Sequence, residues 1–459
     1  TLSSSSAASD VYKRQILMIV FMKNCFLLIA IASFLLGCSG NKKENTLQDE
    51  EGTPVINLSS DNVSKVALLP LSEAAAKVEI VSLEVTDESL IGEITKMKVT
   101  DSDIWVKHYK DNHVLRFSRS GKFLNKVGKV GQGPEEYIRM ADFFVDENTK
   151  EVYIQTTIVG VKVYDYEGNY KRTAAKTSPD DVFMTMYFQF ALYDNKFFIA
   201  QNLAFINKPT PKDSVWSFAW VDSTYQKKKI FKNPAHIGRE EEIMKNGINF
   251  QQFVNYWLEP FTSIDTYGNQ LTLKYPDTDT IYRYDSPANE LVPQYIISTH
   301  EEKGDYGATH VWFRERSAFD YFSIYSYYPS KDNIYLLCSK GETIYTYCYG
   351  KQTGKVKVKE RKSEITERML GNHTLRRLEG AKYFILDNDL CGGSFHVDYR
   401  SQGKYWIDVL IPNSEDNWID IDEMRTSDVK DESLKAKFIH TLENVEEESN
   451  PILVIATLK

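Results

Sequence analysis

The sequence predicts an all-β protein, a six-bladed β-propeller of four-stranded antiparallel blades. Short runs rich in Val, Ile, Tyr and Phe recur along the chain, separated by Gly, Asn, Asp or Pro, which is the pattern of strands joined by tight reversals. The reversal before every fourth run recurs at intervals of 47, 57, 63 and 63 residues, near Ser118, Asp165, Asp222, Asp285 and Cys348. Repeats of this length with four β runs each favour propeller blades.

The clearest unit lies at 126–172. It opens with a Gly-rich connection at 128–140. Four β runs follow, at 141–146, 151–156, 160–165 and 169–174. The same order is found in four other units, at 94–127, 187–231, 259–297 and 321–361. Turn-forming residues stand at their reversals, so each unit is predicted to be one antiparallel meander.

The sixth unit departs from this order. Its runs fall at 382–389, 404–411 and 452–458, and a charged segment at 420–448 predicts a short helical insertion near the C-terminus. One strand is missing there, whereas an alternating run at 78–83 has no partner beside it in the sequence. We therefore expect this N-terminal strand to complete the sixth blade and close the ring, which also removes two exposed sheet edges.

The N-terminal residues predict a membrane anchor. Residues 1–15 lack apolar content and periodicity, and we interpret 1–21 as a non-native leader before a start at Met22. Residues 22–37 combine an early Lys with an apolar run and end in Leu35-Leu36-Gly37, before Cys38. This resembles a bacterial lipoprotein signal, in which the Cys is lipidated. The apolar run is shorter than the roughly 18 residues that span a bilayer, so lipid on Cys38 is expected to tether the chain to the outer membrane.

The rest of the chain divides into two parts. Residues 38–76 are polar, acidic and poor in aromatics, which predicts a flexible tether, and 77–459 form the propeller. A net charge of -9 without a basic cluster argues against a nucleic-acid partner. Aromatic residues make up 13% of the chain and suit either a sugar-stacking surface or packing between sheets. Cysteines without CxxC spacing support neither a zinc site nor a redox pair.

Four segments resemble a known family. They are GKVGQGPEEY at 128–137, YDYEGNY at 164–170, DNDLCGG at 387–393 and the ending NPILVIATLK. They resemble the six-bladed β-propeller lipoproteins of gut Bacteroidetes, which are distant relatives of NHL-repeat propellers. The resemblance implies a cell-envelope lipoprotein, periplasmic or surface-exposed. It implies no established activity and carries over no functional residue.

Two motifs admit a chemical and a structural interpretation. Gly128, Gly131 and Gly133 could cradle a phosphate, but a Pro and a β run follow instead of a helix, which favours a blade connection. The Asp-Asn-Asp run at 387–389 could bind Ca²⁺, but a capped turn accounts for it as well. The eight His residues share no repeated position on the inner strands. We expect no catalytic residue, metal or cofactor, and the alternative is a metal-dependent, NHL-like lyase or hydrolase.

The lengths of the connections predict where a ligand binds. Turns between first and second strands, and between third and fourth, are short, except at 390–403 in the divergent sixth unit. Connections on the opposite face hold the added length, which usually marks a binding face. We expect a glycan, a peptide or an envelope protein to dock there on a monomer. The predicted contacts are Gln132, Glu136, Tyr137, Arg139, Tyr256, Trp257, Trp312 and Arg314.

The lipid anchor is tested by changing its attachment site. We expect Cys38→Ala to leave the membrane fraction and to accumulate as soluble or unprocessed protein, because no thiol remains to be lipidated. Fractionation followed by immunoblotting measures this, with Cys391→Ala as a control that keeps the anchor. Unchanged membrane partition of the Cys38 variant would contradict the prediction.

Overall fold

The computed structural model describes the protein from residue 47 onward, with gaps. The described residues are 47–109, 111–156, 160–175, 189–194, 196–200, 216, 218–222, 226–241, 263–275, 278–301, 321–370, 373–381, 383–412, 419–446 and 448–459. They all belong to one compact unit, Thr46–Lys459. No helix within these ranges is long and apolar enough to cross a membrane.

The N-terminal segment contributes three strands. They are β1 (Val55–Asn57), β2 (Val63–Lys65) and β3 (Ala75–Ser82). A 3-10 turn at Leu71–Glu73 stands before β3.

Five blades follow in order, each an antiparallel sheet of four consecutive strands. Blade one consists of β4 (Ile94–Val99), β5 (Asp103–His108), β6 (Val114–Ser118) and β7 (Phe123–Val127). Blade two consists of β8 (Met140–Asp146), β9 (Glu151–Thr156), β10 (Val161–Asp165) and β11 (Tyr170–Ala175). Blade three consists of β12 (Gln189–Tyr193), β13 (Lys196–Ala200), β14 (Phe218–Val221) and β15 (Lys227–Phe231), with a 3-10 turn at Pro234–His236 after it. Blade four consists of β16 (Ser263–Tyr267), β17 (Gln270–Lys274), β18 (Thr280–Asp285) and β19 (Glu290–Ser298). Blade five consists of β20 (Ser323–Pro329), β21 (Asn333–Lys340), β22 (Thr343–Gly350) and β23 (Val356–Lys362).

Two hairpins precede the last blade. They pair β24 (Ile365–Leu370) with β25 (His373–Leu378), and β26 (Ile385–Asp387) with β27 (Ser394–His396). Blade six has the order β28 (Tyr399–Ser401), β29 (Tyr405–Leu410), β30 (Ile452–Leu458) and β3. Between β29 and β30 lie α1 (Ile421–Thr426) and α2 (Glu432–Glu443), which confirms the predicted helical insertion.

Closure of the ring by the N-terminal strand is confirmed. Strand β3 pairs antiparallel with β30 along nearly its whole length, with Ile80 opposite Val454. Strand β3 precedes blade one and β30 is the last described strand, so their pairing closes the ring between blade six and blade one. The fold is the predicted six-bladed propeller of four-stranded antiparallel blades.

The first strand of blade six was predicted wrongly. The run at 382–389 was assigned to it, but β26 forms part of a separate hairpin and β28 takes the inner position. The carboxylates of the DNDL turn explain the difference. Asp387 accepts a hydrogen bond from the Leu69 amide at 2.6 Å, and Asp389 accepts one from the Ser72 amide at 2.9 Å. The segment that carries these carboxylates therefore binds the N-terminal segment and does not form a strand of blade six.

The predicted flexible tether is also corrected, for the described part from residue 47 to 76. Strand β1 adds to blade four in parallel with β19, and β2 adds to blade five in parallel with β23. Ile56 is fully buried among residues of blades four and five. The outer strands have free backbone groups, so a polar segment that is short of aromatics can still bind there through main-chain hydrogen bonds.

Aromatic side chains form much of the core between blades. The largest fully buried side chains are Trp, Tyr and Phe, including Trp105 and Trp406. Hydrophobic clusters join neighbouring blades, and the rings of Tyr328 and Phe384 stack at 4.0 Å where blades five and six meet the hairpin of β26. Packing between sheets therefore accounts for a large share of the aromatic content.

The described cysteines, Cys338, Cys348 and Cys391, are free and buried. Cys338 lies opposite Tyr345, and Cys348 lies opposite Tyr335, because the hairpin between β21 and β22 turns at Gly341-Glu342.

The docking of the N-terminal segment can be tested by truncating one side chain. We expect Ile56→Ala to lower the free energy of unfolding by about 2–5 kcal/mol, since it empties a packed site. Leu68→Ala is the matched control, because Leu68 is 61% exposed in the same segment, and it should cost less than about 0.5 kcal/mol. Denaturant titration measures both, and equal stabilities would mean that the segment does not pack on blades four and five.

Candidate functional site

The ring has two unequal faces. The face with the turns between first and second strands and between third and fourth strands, here the tight-turn face, carries short connections throughout the described blades. With β28 as the inner strand of blade six, the turn at 402–404 is as short as the others, so the exception expected at 390–403 disappears. The opposite face, here the loop face, carries the connections between blades and between second and third strands.

One turn lies across the end of the channel on the tight-turn face. Gln402 of blade six donates a hydrogen bond to Glu147 of blade two, two blades away. Gly403 lies against the backbone of Thr266 in blade four, where a Cβ would overlap the carbonyl oxygen. Gln402 and Gly403 both have positive φ, which Gly adopts without strain. The turn therefore spans the axis of the ring at this end.

Charged side chains line the channel above this turn. Arg400 of β28 donates to the Asp265 carboxylate of blade four at 2.7 Å and to the Tyr327 carbonyl of blade five at 2.8 Å. Lys96 of blade one forms an ion pair with Asp142 of blade two at 2.5 Å. These contacts involve five blades across and around the channel, where the inner strands bring ionic groups close together.

The Gly-rich connection folds around Tyr137. This side chain is fully buried and its hydroxyl donates to the Asn112 carbonyl at 2.6 Å. Burial raises the pKa of Tyr137 well above its ordinary value. Gly128 has φ +109°, and a Cβ there would overlap the Tyr137 hydroxyl. Tyr137 is a core residue, which corrects the prediction that it contacts a ligand.

The acidic residues of the same connection bind within it. Glu136 accepts a hydrogen bond from the Gly133 amide at 2.8 Å, and Glu135 forms an ion pair with Lys129 at 2.7 Å. Gln132 and Arg139 remain exposed. The motif is thus a folded blade connection that leaves two polar side chains of the predicted set available to a partner.

Sequence reasoning missed the exposed apolar neighbours of these residues. Tyr109 follows β5 and is 69% exposed, and Ile138 is 54% exposed in the Gly-rich connection. The Asn112 side chain accepts a hydrogen bond from the Met140 amide at 3.3 Å, which holds the two connections together. We define the loop-face patch as Tyr109, Gln132, Ile138 and Arg139. Tyr109 could have been found as an aromatic residue placed between charged residues beyond the end of a strand.

A charged cluster supports the turn after Tyr109. The Asp111 carboxylate contacts the His113 ring at 2.5 Å and Lys126 at 3.2 Å. Hydrogen bonding from His113 holds the pKa of Asp111 well below its usual range. Burial lowers the pKa of His108, which lies 3.8 Å from Asp111. Among the described residues, no group of three or more His, Cys, Asp or Glu side chains is arranged to hold a metal ion.

The Asp-Asn-Asp run has structural partners. Lys359 contacts Asp387 at 2.6 Å, and Lys430 contacts Asp389 at 2.9 Å. Asn388 accepts a hydrogen bond from the Cys391 amide at 3.2 Å. These contacts correspond to the capped-turn interpretation.

The remaining predicted contacts, Tyr256, Trp257, Trp312 and Arg314, lie outside the described residues, as does the lipidation residue Cys38. They stay predictions.

Comparison with known proteins identifies the family. The model of DUF4934, a domain of unknown function, matches residues 53–457. The chain belongs to the DUF4934 family. The match begins within the segment that carries β1 and ends in β30, so it includes both strands that close the ring. No curated protein is significantly similar to the chain.

Two solved structures are similar to this DUF4934 protein, one of them with a TM-score above 0.5. A Bacteroides fragilis protein described as exported has a TM-score of 0.52 and 17% identity, over 87% of this chain and 99% of that one. A member of the DUF4221 family from Bacteroides vulgatus has a TM-score of 0.42 and 9% identity, over 68% of this chain and 92% of that one. At these identities the similarity concerns the fold alone.

The assignment of Tyr137 to the core can be tested by measuring the free energy of unfolding. Tyr137→Ala should lower the free energy of unfolding by about 3 kcal/mol or more, because it removes a buried ring and leaves the Asn112 carbonyl unpaired. Gln132→Ala, in the same connection but exposed, should stay within about 0.5 kcal/mol of the parent protein. Chemical denaturation compares the two, and a Tyr137 variant as stable as the parent would show that the ring is not part of the core.

Proposed function

We propose that this protein is a non-catalytic interaction propeller of the cell envelope, which docks a protein or peptide partner on its loop face. The observation that carries the proposal is the loop-face patch, in which two connections held together through Asn112 expose Tyr109 on one side and Gln132, Ile138 and Arg139 on the other. Large apolar side chains on connections, next to an exposed Arg, have the composition of interface centres.

The framework under the patch suits a docking surface. The Tyr137 hydroxyl and the Asn112 side chain tie the two connections together, and Asp111 fixes the turn between them. Such contacts reduce the entropy that the connections would lose on binding, which favours affinity. The exposed side chains are thus presented on a support that is already folded.

The chemistry of the patch favours a polypeptide over a glycan. Sugar sites generally need aromatic rings to stack on, whereas the patch, as far as the structure describes it, exposes one aromatic side chain, Tyr109, and one aliphatic side chain, Ile138. Leu90, which is 58% exposed on the link into blade one, lies on the same face. Aliphatic surface gains stability when apolar side chains of a partner cover it.

Two observations support the proposed location in the cell envelope. The Leu35-Leu36-Gly37-Cys38 sequence provides a candidate lipid anchor. The Bacteroides fragilis protein with the same fold is described as exported. Together they support an envelope location with the propeller held near the outer membrane.

Site-specific photo-crosslinking in cells that express the full chain tests the docking surface. A photoreactive residue at Tyr109 or Ile138 should give discrete adducts with an envelope protein, whereas one at Asn148, exposed on the tight-turn face, should not. Combining the crosslinker at Ile138 with Arg139→Glu should reduce the adduct about tenfold, if the cation contributes about 1.4 kcal/mol.

Two results would contradict this function. One is equal crosslinking from the two faces. The other is specific binding of a neutral glycan by the purified protein that survives Tyr109→Ala and Ile138→Ala.

A further inference from the structure

A lysine reaches the axis of the ring on its inner strand. Lys98 lies on β4, two residues after Lys96, and near the tight-turn end of the strand. It interacts electrostatically with Asp142 of blade two, Asp265 of blade four and Arg400 of blade six. Blade four is opposite blade one in a ring of six. Lys98 shares a face of β4 with Lys96, whose ammonium group pairs with Asp142 of blade two. Together with its interactions with charges on blades four and six, this places the Lys98 side chain in the channel.

Lys98 differs from the other channel cations in its contacts. Arg400 is engaged by Asp265 and by the Tyr327 carbonyl, and Lys96 is engaged by Asp142. In the part of the chain that the structure describes, the Lys98 ammonium group has no hydrogen bond and no ion pair of its own. The Lys98 side chain is only partly buried, so a ligand in the channel can reach its ammonium group, and desolvation is the main cause that lowers the pKa of Lys98 to about 8.

The group lies close to the closed end of the channel. Lys98 lies two residues before the turn at 100–102, and Arg400 lies two residues before Gln402, whose turn crosses the axis. Gln402 and Gly403 contact blades two and four there. We define the channel floor as Lys98, Asp265, Arg400 and the Gln402-Gly403 turn. A ligand that reaches this floor comes from the loop-face side.

The charges of the channel floor and of the neighbouring Lys96–Asp142 pair select the type of ligand. Lys96, Lys98 and Arg400 supply three positive charges, and Asp142 and Asp265 supply two negative charges. The excess is one positive charge, located at the group without a partner. A single carboxylate would balance it, whereas a doubly charged phosphate would leave a net negative charge beside two buried carboxylates.

We propose that the channel floor binds the carboxylate group of a small organic acid, with Lys98 as its counter-ion. The carboxylate would accept hydrogen bonds from the Lys98 ammonium group, which is then paired like the other channel cations. Binding requires the protonated lysine, so affinity should fall as the pH rises through about 8. The site is separate from the loop-face patch and does not depend on partner docking.

Competitive labelling of the full chain tests this site. Acetic anhydride at pH 8 modifies neutral amines, and mass spectrometry measures the rate for each lysine. Millimolar D-glucuronate or acetate should slow modification of Lys98 by about tenfold, which corresponds to about 1.4 kcal/mol. Lys122, exposed on the tight-turn face of blade one, is the internal control and should not be protected.

Matched probes and variants separate the outcomes. D-glucose and acetamide, which lack the carboxylate, should not protect Lys98. Calorimetry should show that D-glucuronate binding is lost in Lys98→Met and retained in Lys98→Arg and Lys122→Met. Thermal unfolding of each variant confirms that it is folded at the temperature of the binding measurement. Equal protection by the neutral analogues, stronger protection by inorganic phosphate, or unchanged binding by Lys98→Met would each overturn the proposal.

Discussion

The structure depends on the pairing of β3 with β30. A blade buries its apolar surfaces only against its neighbours, so an open ring would leave two sheets half covered. The hydrophobic cluster between blades six and one contains Val81 from β3, Ile455 from β30 and Val106 from blade one. Strand pairing at the junction therefore brings together the side chains that pack against the next blade. The pairing that closes the ring is thus also the interaction that completes the core.

The N-terminal segment extends this closure around the ring. Before β3, the chain adds short strands to the outer edges of blades four and five, and its loop is tied to Asp387 and Asp389. Outer strands expose unpaired backbone groups that favour association with other chains. A segment that covers two such edges protects the sheets from association with other chains.

Sequence periodicity predicted most of the fold, because apolar side chains and turn residues follow the geometry of each blade. Local patterns of apolar and turn residues were sufficient to predict the five regular blades. One strand without a neighbouring partner in the sequence was sufficient to predict closure by β3. The first strand of blade six was missed for a physical reason. The run at 382–389 has better strand residues than Tyr399–Ser401, but it is drawn into a hairpin whose turn binds the N-terminal segment. Such a long-range contact leaves no periodic signal.

The site was less predictable than the fold. The connection lengths indicated the loop face, and Gln132 and Arg139 proved exposed there. Tyr137 has the same kind of sequence neighbours but is buried, because Gly128 leaves room for its hydroxyl to reach Asn112. A connection shows its length in the sequence, whereas the direction of each side chain depends on contacts with a neighbouring blade.

Lys98 illustrates this limit most clearly. Its strand alternates in the ordinary way, and one lysine among many carries no signal of its own. Its lowered pKa comes first from desolvation and then from the charges of Lys96, Asp142, Asp265 and Arg400. Asp265 and Arg400 are more than a hundred residues away in sequence and reach the axis from other blades. A propeller brings one inner strand from every blade to a common axis, so charges that are distant along the chain act on one another in a confined, poorly solvated space. Because closure by β3 and β30 fixes the positions of these strands, the electrostatics of the channel depend on the same pairing that holds the ring together.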